Sequence, residues 1–200
     1  TAKTMRLLDI LPKDSAKTFH FAEGPGGFIE AIAYLRENAD DKYYGMTLLN
    51  DSDTSVPGWK KSQQFLEKNP NVIIEGGVTE DGDMLKADNL KECYQKHNNS
   101  CQLVTADGGF DFTNDYINQE YNFTRLFLCE IVLALNLQKI GGTFVIKCFD
   151  LTNILSIKIF YILCHYYEKI IITKLNTSRK TNSERYIICK NLKSYIEPNI

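Results

Sequence analysis

No apolar run in this chain reaches the ~20 residues that span a bilayer. The most apolar stretch, residues 151–172, is interrupted by Lys158, His165, Glu168 and Lys169. No secretory signal is recognisable, and no membrane partner is expected. Histidine is scarce, at three residues, and the six cysteines (Cys93, Cys101, Cys129, Cys148, Cys164, Cys189) form no CxxC pair. No metal ligand set is complete, which argues against a structural zinc. Most of these cysteines lie in apolar patterns, where Cys acts as a small buried hydrophobe. Reduced thiols in an intracellular protein are expected, in the nucleus or in the cytoplasm, a cytoplasmic viral replication site included. An excess of positive charge is also missing. With 23 Lys and Arg against 25 Asp and Glu, the net charge is −2. That argues against a strong sequence-independent nucleic-acid binder, although basic residues cluster over 169–193. Both common phosphate loops, GxGxxG and GxxxxGK(S/T), are absent. Repeats and low-complexity tracts are absent too.

What remains is globular. The chain has 200 residues, 44% hydrophobic and 12% aromatic, enough for one α/β domain with a full core. A single domain over 1–200 is expected. The first residue is Thr1 rather than Met, consistent with a fragment of a longer chain. Apolar strands alternate with helical patterns, which implies a mostly parallel sheet with helices on both faces. Strands are expected over 19–22, 43–48, 72–75, 103–106, 143–147, 169–175 and 185–190. Helices are expected over 1–11, 28–37, 60–68, 89–97, 118–138 and 155–167. The helix over 118–138 shows an apolar face at Phe127, Ile131 and Leu135. Gly141 and Gly142 read as a turn before the fifth strand.

The most informative segment is Phe19-His20-Phe21-Ala22-Glu23-Gly24-Pro25-Gly26-Gly27-Phe28. An apolar strand runs into a glycine-rich turn and then into a helix. Residues without a Cβ let a backbone approach a ligand closely, and the helix aims its free N–H groups at the turn. This is a cradle for a nucleotide or nucleoside at the end of a first strand. Glu23 inside the turn would repel a phosphate. A cationic ligand suits it better, and S-adenosylmethionine carries a sulfonium and an ammonium.

In such sheets ligands bind beyond the carboxyl ends of the strands. Three ionisable residues fall there. Asp107 ends the fourth strand before two glycines. Lys147 ends the fifth, where a bare ammonium needs a partner. Glu184 precedes the last strand. A lysine between two carboxylates can steer or deprotonate a hydroxyl for in-line attack on a sulfonium methyl. A structural ion-pair network is the alternative reading.

Four segments together resemble the FtsJ-type ribose 2′-O-methyltransferases. They are Ala22-Glu23-Gly24-Pro25-Gly26-Gly27-Phe28, Ala106-Asp107-Gly108-Gly109-Phe110, the stretch from Gly141 to Asp150, and Ser178-Arg179 with Asn182-Ser183-Glu184-Arg185-Tyr186. Gly45-Met46-Thr47-Leu48 and Asp81-Gly82-Asp83 are most similar to the mRNA cap-1 branch found in eukaryotes and large DNA viruses. The resemblance implies a Rossmann-like fold, S-adenosylmethionine as methyl donor, and a Lys-Asp-Lys-Glu tetrad. Its last three members map onto Asp107, Lys147 and Glu184. Lys3 is the candidate for the first, with Lys13 and Lys17 as weaker ones. The donor would be held by Glu23, Gly24, Pro25, Gly26, Gly27, Phe28, Thr47, Leu48, Asp83 and Asp107.

The implied substrate is capped RNA, methylated at the ribose 2′-oxygen of its first transcribed nucleotide. Ribosomal or transfer RNA is the alternative substrate, and a catalytically weak RNA- or partner-binding module the alternative class. Arg179, Lys180 and Arg185 would hold phosphates, or form a solvated basic loop. Trp59 would stack on a methylated guanine or anchor the following helix. Residues 111–121 would form a rim for the cap or add to the core. Two hundred residues leave little room for a cap pocket, so a flanking region or partner protein is expected to add RNA affinity.

Overall fold

The structure is a computed structural model that describes Met5 and residues 9–50, 52–53, 56–109, 119–175, 178 and 181–196, with only the backbone of 119–122. Among the described residues, seven strands and five helices follow in the order β1 (Lys17–Phe21), α1 (Gly27–Arg36), β2 (Lys42–Met46), α2 (Gln63–Lys68, after a short 3-10 turn Lys60–Ser62), β3 (Val72–Ile74), α3 (Ala87–His97), β4 (Cys101–Ala106), α4 (Gln119–Leu137), β5 (Gln138–Cys148), α5 (Ile154–Tyr166), β6 (Tyr167–Thr173) and β7 (Arg185–Leu192). All seven strands lie in one sheet, in the order β3-β2-β1-β4-β5-β7-β6. The pairs among β1 to β5 are parallel, and β7 runs antiparallel to both β5 and β6. This is the mostly parallel α/β sheet expected. No described helix is long and apolar enough to cross a membrane.

Strand side chains alternate between faces, and both faces are buried. Phe19, Phe21, Val104, Ala106, Phe144 and Ile146 join one core with Cys93 of α3 and Phe127, Ile131 and Leu135 of α4. Tyr43, Leu103, Val145, Tyr186 and Ile188 face the other way, onto Phe28, Ile29 and Ile32 of α1. Trp59 packs on this second face. A Cβ at Gly45 would lie 2.7 Å from both Trp59 and Ile29, so the indole locks α1 onto β2.

Most boundaries shift by a residue or more from the sequence reading, two of them at motif residues. Gly141 and Gly142 lie within β5, which follows α4 directly at Gln138. The β4–β5 pairing shifts register between Cys101↔Gln138 and Leu103↔Thr143, so the glycines occupy an irregularity that β4 pairs on both sides. Strand β2 stops at Met46, which leaves Thr47 and Leu48 beyond its end. Of the helix expected over 1–11, Met5 is helical, residues 9–11 form a turn and a bend rather than helix, and the others lie outside the described residues.

Candidate active site

Strand order reverses between β1 and β4. The chain leaves β1 for β2 and β3 on one side, while β4 and β5 build the other. Such a switch point opens a crevice at the carboxyl ends of the strands. Asp107 follows β4 there, and its N–H donates to the Phe21 carbonyl at 3.2 Å. The glycine turn and the Asp107 loop are thus neighbours because their strands are. A cavity of about 570 Å³ opens at this point, lined among others by Gly24, Thr47, Leu48, Asp83, Asp107 and Lys147. That volume falls within the usual range for small-molecule sites.

The cavity walls are backbone at close quarters. Gly24 donates its N–H to Thr47 Oγ1 at 3.2 Å, and a Cβ on it would lie 2.6 Å from the Gly58 carbonyl. Gly82 has φ +64°, and its Cβ would fall 1.9 Å from the Thr47 carbonyl. Only glycine fits both that conformation and that space. The loop carrying Gly82 is tied down by Asn89, which is fully buried. Asn89 Nδ2 donates to Thr79 Oγ1, Asp81 Oδ1 and the Asp83 carbonyl at 3.0, 3.2 and 3.0 Å. Asp83 Oδ1 accepts from the Leu85 N–H at 2.9 Å. Hydrogen bonds from Lys86 and Thr79 hold the Asp81 carboxyl well below the usual range.

Lys147 reaches the Asp107 loop from β5. Its ammonium donates to the Asp107 carbonyl at 2.7 Å and lies 3.4 Å from Asp107 Oδ1. Tyr186 stands opposite Lys147 in the β5–β7 register and donates its hydroxyl to Asp107 Oδ1 at 2.7 Å. Burial, then the Asp107 charge and hydrogen bond, push the Tyr186 phenol far above its ordinary value, so it serves only as a donor. Glu184 sits just before β7. Among the described residues no ion pair joins it to Lys147.

The glycine turn divides its residues between tasks. Gly24 lines the cavity, but Glu23 caps α1. Its Oε1 accepts from the Phe28 N–H and, at 3.2 Å, from the Ile29 N–H. Burial drives the Glu23 carboxyl well above its usual range. Pro25 accepts from the Ser62 hydroxyl through its carbonyl. Gly26, at φ +106°, packs against Trp59 and Ser62, and Gly27 opens α1. Phe28 is buried against Tyr186, with ring centroids 6.0 Å apart. Arg185 bonds Asp150 Oδ1 at 2.7 Å and the Ser183 carbonyl at 3.0 Å. Lys3, Arg179, Lys180 and most of the 111–121 rim lie outside the described residues.

A family model described as FtsJ-like methyltransferase matches residues 2–192. The chain belongs to the FtsJ-like methyltransferase family. Over 197 residues it is 33% identical to the mouse (Mus musculus) cap-specific mRNA (nucleoside-2′-O-)-methyltransferase 1, covering 94% of this chain and 23% of that protein. The chain therefore spans about a quarter of that relative's length. Among solved structures it resembles a Plasmodium falciparum protein assigned as a ribosomal RNA methyltransferase, with TM-score 0.64, 19% identity, and coverage of 95% of this chain and 93% of the other. It also resembles a Streptococcus mutans protein assigned as a methyltransferase and solved in complex with SAH, with TM-score 0.56, 14% identity and 92% coverage of each. These structural likenesses concern the fold.

In this crevice, three residues carry contacts to which the sequence assigned no role. Tyr186 was visible in its motif, but its bond to Asp107 needs the antiparallel β7. Asn89 gives no local signal. Glu130 of α4 did leave one, since it is the only charged residue between Leu126 and Leu137. It is fully buried, and its Oε1 accepts from the Gly108 N–H at 3.0 Å.

Proposed function

We propose that this chain transfers a methyl group from S-adenosylmethionine to the ribose 2′-oxygen of the first transcribed nucleotide of a capped RNA. The observation that carries the chemistry is the Lys147–Asp107–Tyr186 cluster at the rim of the switch-point cavity. The cap assignment is supported by the likeness to the cap-specific relative along 94% of the chain.

The cavity residues fit the donor. Two carboxylates, Asp83 and Asp107, and one ammonium line it, which suits a ligand bearing positive charge. Gly24 and Gly82 leave their backbone as the wall, where side chains would close the space. Thr47, Leu48 and Asp83 would hold the nucleoside part, and Gly24 and Asp107 the part nearer Lys147. When bound, S-adenosylmethionine supplies an electrophilic methyl group on a sulfonium. Tyr186 and Lys147 together fix the Asp107 carboxylate. Lys147 orients the attacking hydroxyl and, once its ammonium has given a proton to solvent, accepts the hydroxyl proton as the neutral amine. Lys3 and Glu184 complete the proposed tetrad. Arg179, Lys180 and Arg185 position phosphates, and a flanking region or partner protein adds RNA affinity.

The test is methyl transfer from radiolabelled S-adenosylmethionine to matched short RNAs carrying a methylated guanosine cap, an unmethylated cap or no cap. Label confined to the first-nucleotide ribose of capped RNA is expected. Label on uncapped RNA would move the substrate to ribosomal or transfer RNA. A Lys147→Met variant is expected to lose about 10²–10⁴-fold in rate while keeping its fold. Unchanged turnover in that variant would sink the catalytic assignment.

A further inference from the structure

The peptide unit between Asp107 and Gly108 is held at both polar ends. Its carbonyl oxygen accepts from Lys147 Nζ at 2.7 Å, and its N–H donates to Glu130 Oε1 at 3.0 Å. The two partners come from opposite faces of the sheet. Lys147 shares the face of Val145, toward α1. Glu130 comes from α4, which packs on the other face through Phe127 and Ile131. A buried carboxyl in an apolar helix face is costly, and an aliphatic residue would fill the same space. Its contact is also close: a Cβ at Gly108 would lie 2.3 Å from Glu130 Oε1 and 2.8 Å from Leu126 Cδ2. Burial pushes the Glu130 carboxyl up to about 8, against the opposing pull of the Lys147 charge and the Gly108 N–H. At neutral pH the group is therefore mostly the uncharged acid, with an oxygen still free to accept.

We propose that Glu130 is a positioning residue for the Asp107–Lys147 pair, clamping the Asp107–Gly108 peptide from beneath and so setting where the Lys147 amine stands. Hydrogen bonds in series polarise one another, so an acceptor on the peptide N–H makes the carbonyl at its other end a better partner for Lys147. The clamp also fixes the backbone from which the Asp107 carboxylate projects. This inference rests on the methyl-transfer reading above. An error of ~1 Å in such a group can cost ~10²-fold in rate.

The experiment compares Glu130→Met, Glu130→Gln and Gly108→Ala with the wild type. Steady-state methyl transfer gives kcat and KM, and Gly108 amide exchange by NMR reads the clamp directly. Glu130→Met removes the acceptor and is expected to lower kcat by about 10–100-fold, with KM for S-adenosylmethionine nearly unchanged and Gly108 protection lost. Glu130→Gln keeps an acceptor oxygen and is expected to retain most of the kcat and the protection. Gly108→Ala, which displaces Glu130 from the other side, is expected to behave like Glu130→Met and stands in for it should that variant not fold. Wild-type kcat in Glu130→Met, or Glu130→Gln as impaired as Glu130→Met with its fold intact, would overturn the proposal. The exchange readout is independent of substrate. If the wild type methylates no RNA, that failure counts against the function, while protection lost in Glu130→Met and kept in Glu130→Gln still supports the clamp.

Discussion

Single side chains at the switch point have sharply different duties. Asp107 accepts from Tyr186 and Lys147 at once, whereas Glu23, only a turn away, caps a helix. Both acids stood in the same sequence argument, and spacing could not separate them, because the two differ in which way the side chain leaves the backbone. Gly82 shows the same limit from the other side. Its φ of +64° and the clash that a Cβ there would make with the Thr47 carbonyl make it a wall of the switch-point cavity. Gly82→Ala is expected to push the Thr47 and Gly82 backbones apart and weaken S-adenosylhomocysteine binding by at least tenfold, or about 1.4 kcal/mol. Isothermal calorimetry checks this, and unchanged affinity would remove Gly82 from the site.

At the level of elements, the glycine turn works because α1 is held at both ends. Glu23 caps its start, and Arg36 in its last turn bonds Asp41, at the entrance of β2. Asp41 is fully buried and also accepts from Tyr43 OH and the Ala16 N–H, each at 2.7 Å. Arg36 reaches on to the Asp14 carbonyl at 2.6 Å. One ion pair thus joins α1, β2 and the chain entering β1. Breaking a buried pair by removing one partner leaves an uncompensated charge. Arg36→Met is therefore expected to destabilise the fold by about 3–5 kcal/mol, read by urea denaturation. A loss under 1 kcal/mol would show that water reaches Asp41. The strand–turn–helix order was legible in residues 19–37, but this tie was not, since nothing in the spacing of Arg36 and Asp41 marks them as buried.

For the molecule as a whole, buried ionisable groups in and beneath the sheet shape the response to acid. His20 in β1 is fully buried between β2 and β4, bonded to the Thr18 and Thr105 hydroxyls at 2.7 Å each. Burial lowers its pKa from 6.5 to about 3. Between those values the unfolded chain binds the proton and the folded chain does not. The stability contributed by neutral His20 is thus complete above pH 6.5 and is lost as pH falls toward 3. The slope from this one group is up to about 1.4 kcal/mol per pH unit. Glu23 and Glu130, raised by burial, gain protons on folding and oppose this slope. The measurement is therefore the stability difference between wild type and His20→Gln at pH 7.5, 6 and 5, which should shrink as pH falls. A difference that stays constant across that range would remove His20 from the acid response.

Taken alone, the sequence determined the alternation of strands and helices, the doubly covered sheet and the positions of Gly24, Asp107 and Lys147 at strand ends. Hydrophobic period and glycine placement are local signals, readable along one stretch of chain. The tertiary structure decided what those residues do. Pairing of β1 with β4 brought Gly24 beside Asp107, and the antiparallel return of β7 set Tyr186 against Lys147. Packing of α4 beneath the sheet placed Glu130 under Gly108. These contacts join residues far apart in the chain, and only the arrangement of strands and helices across both faces of the sheet specifies them.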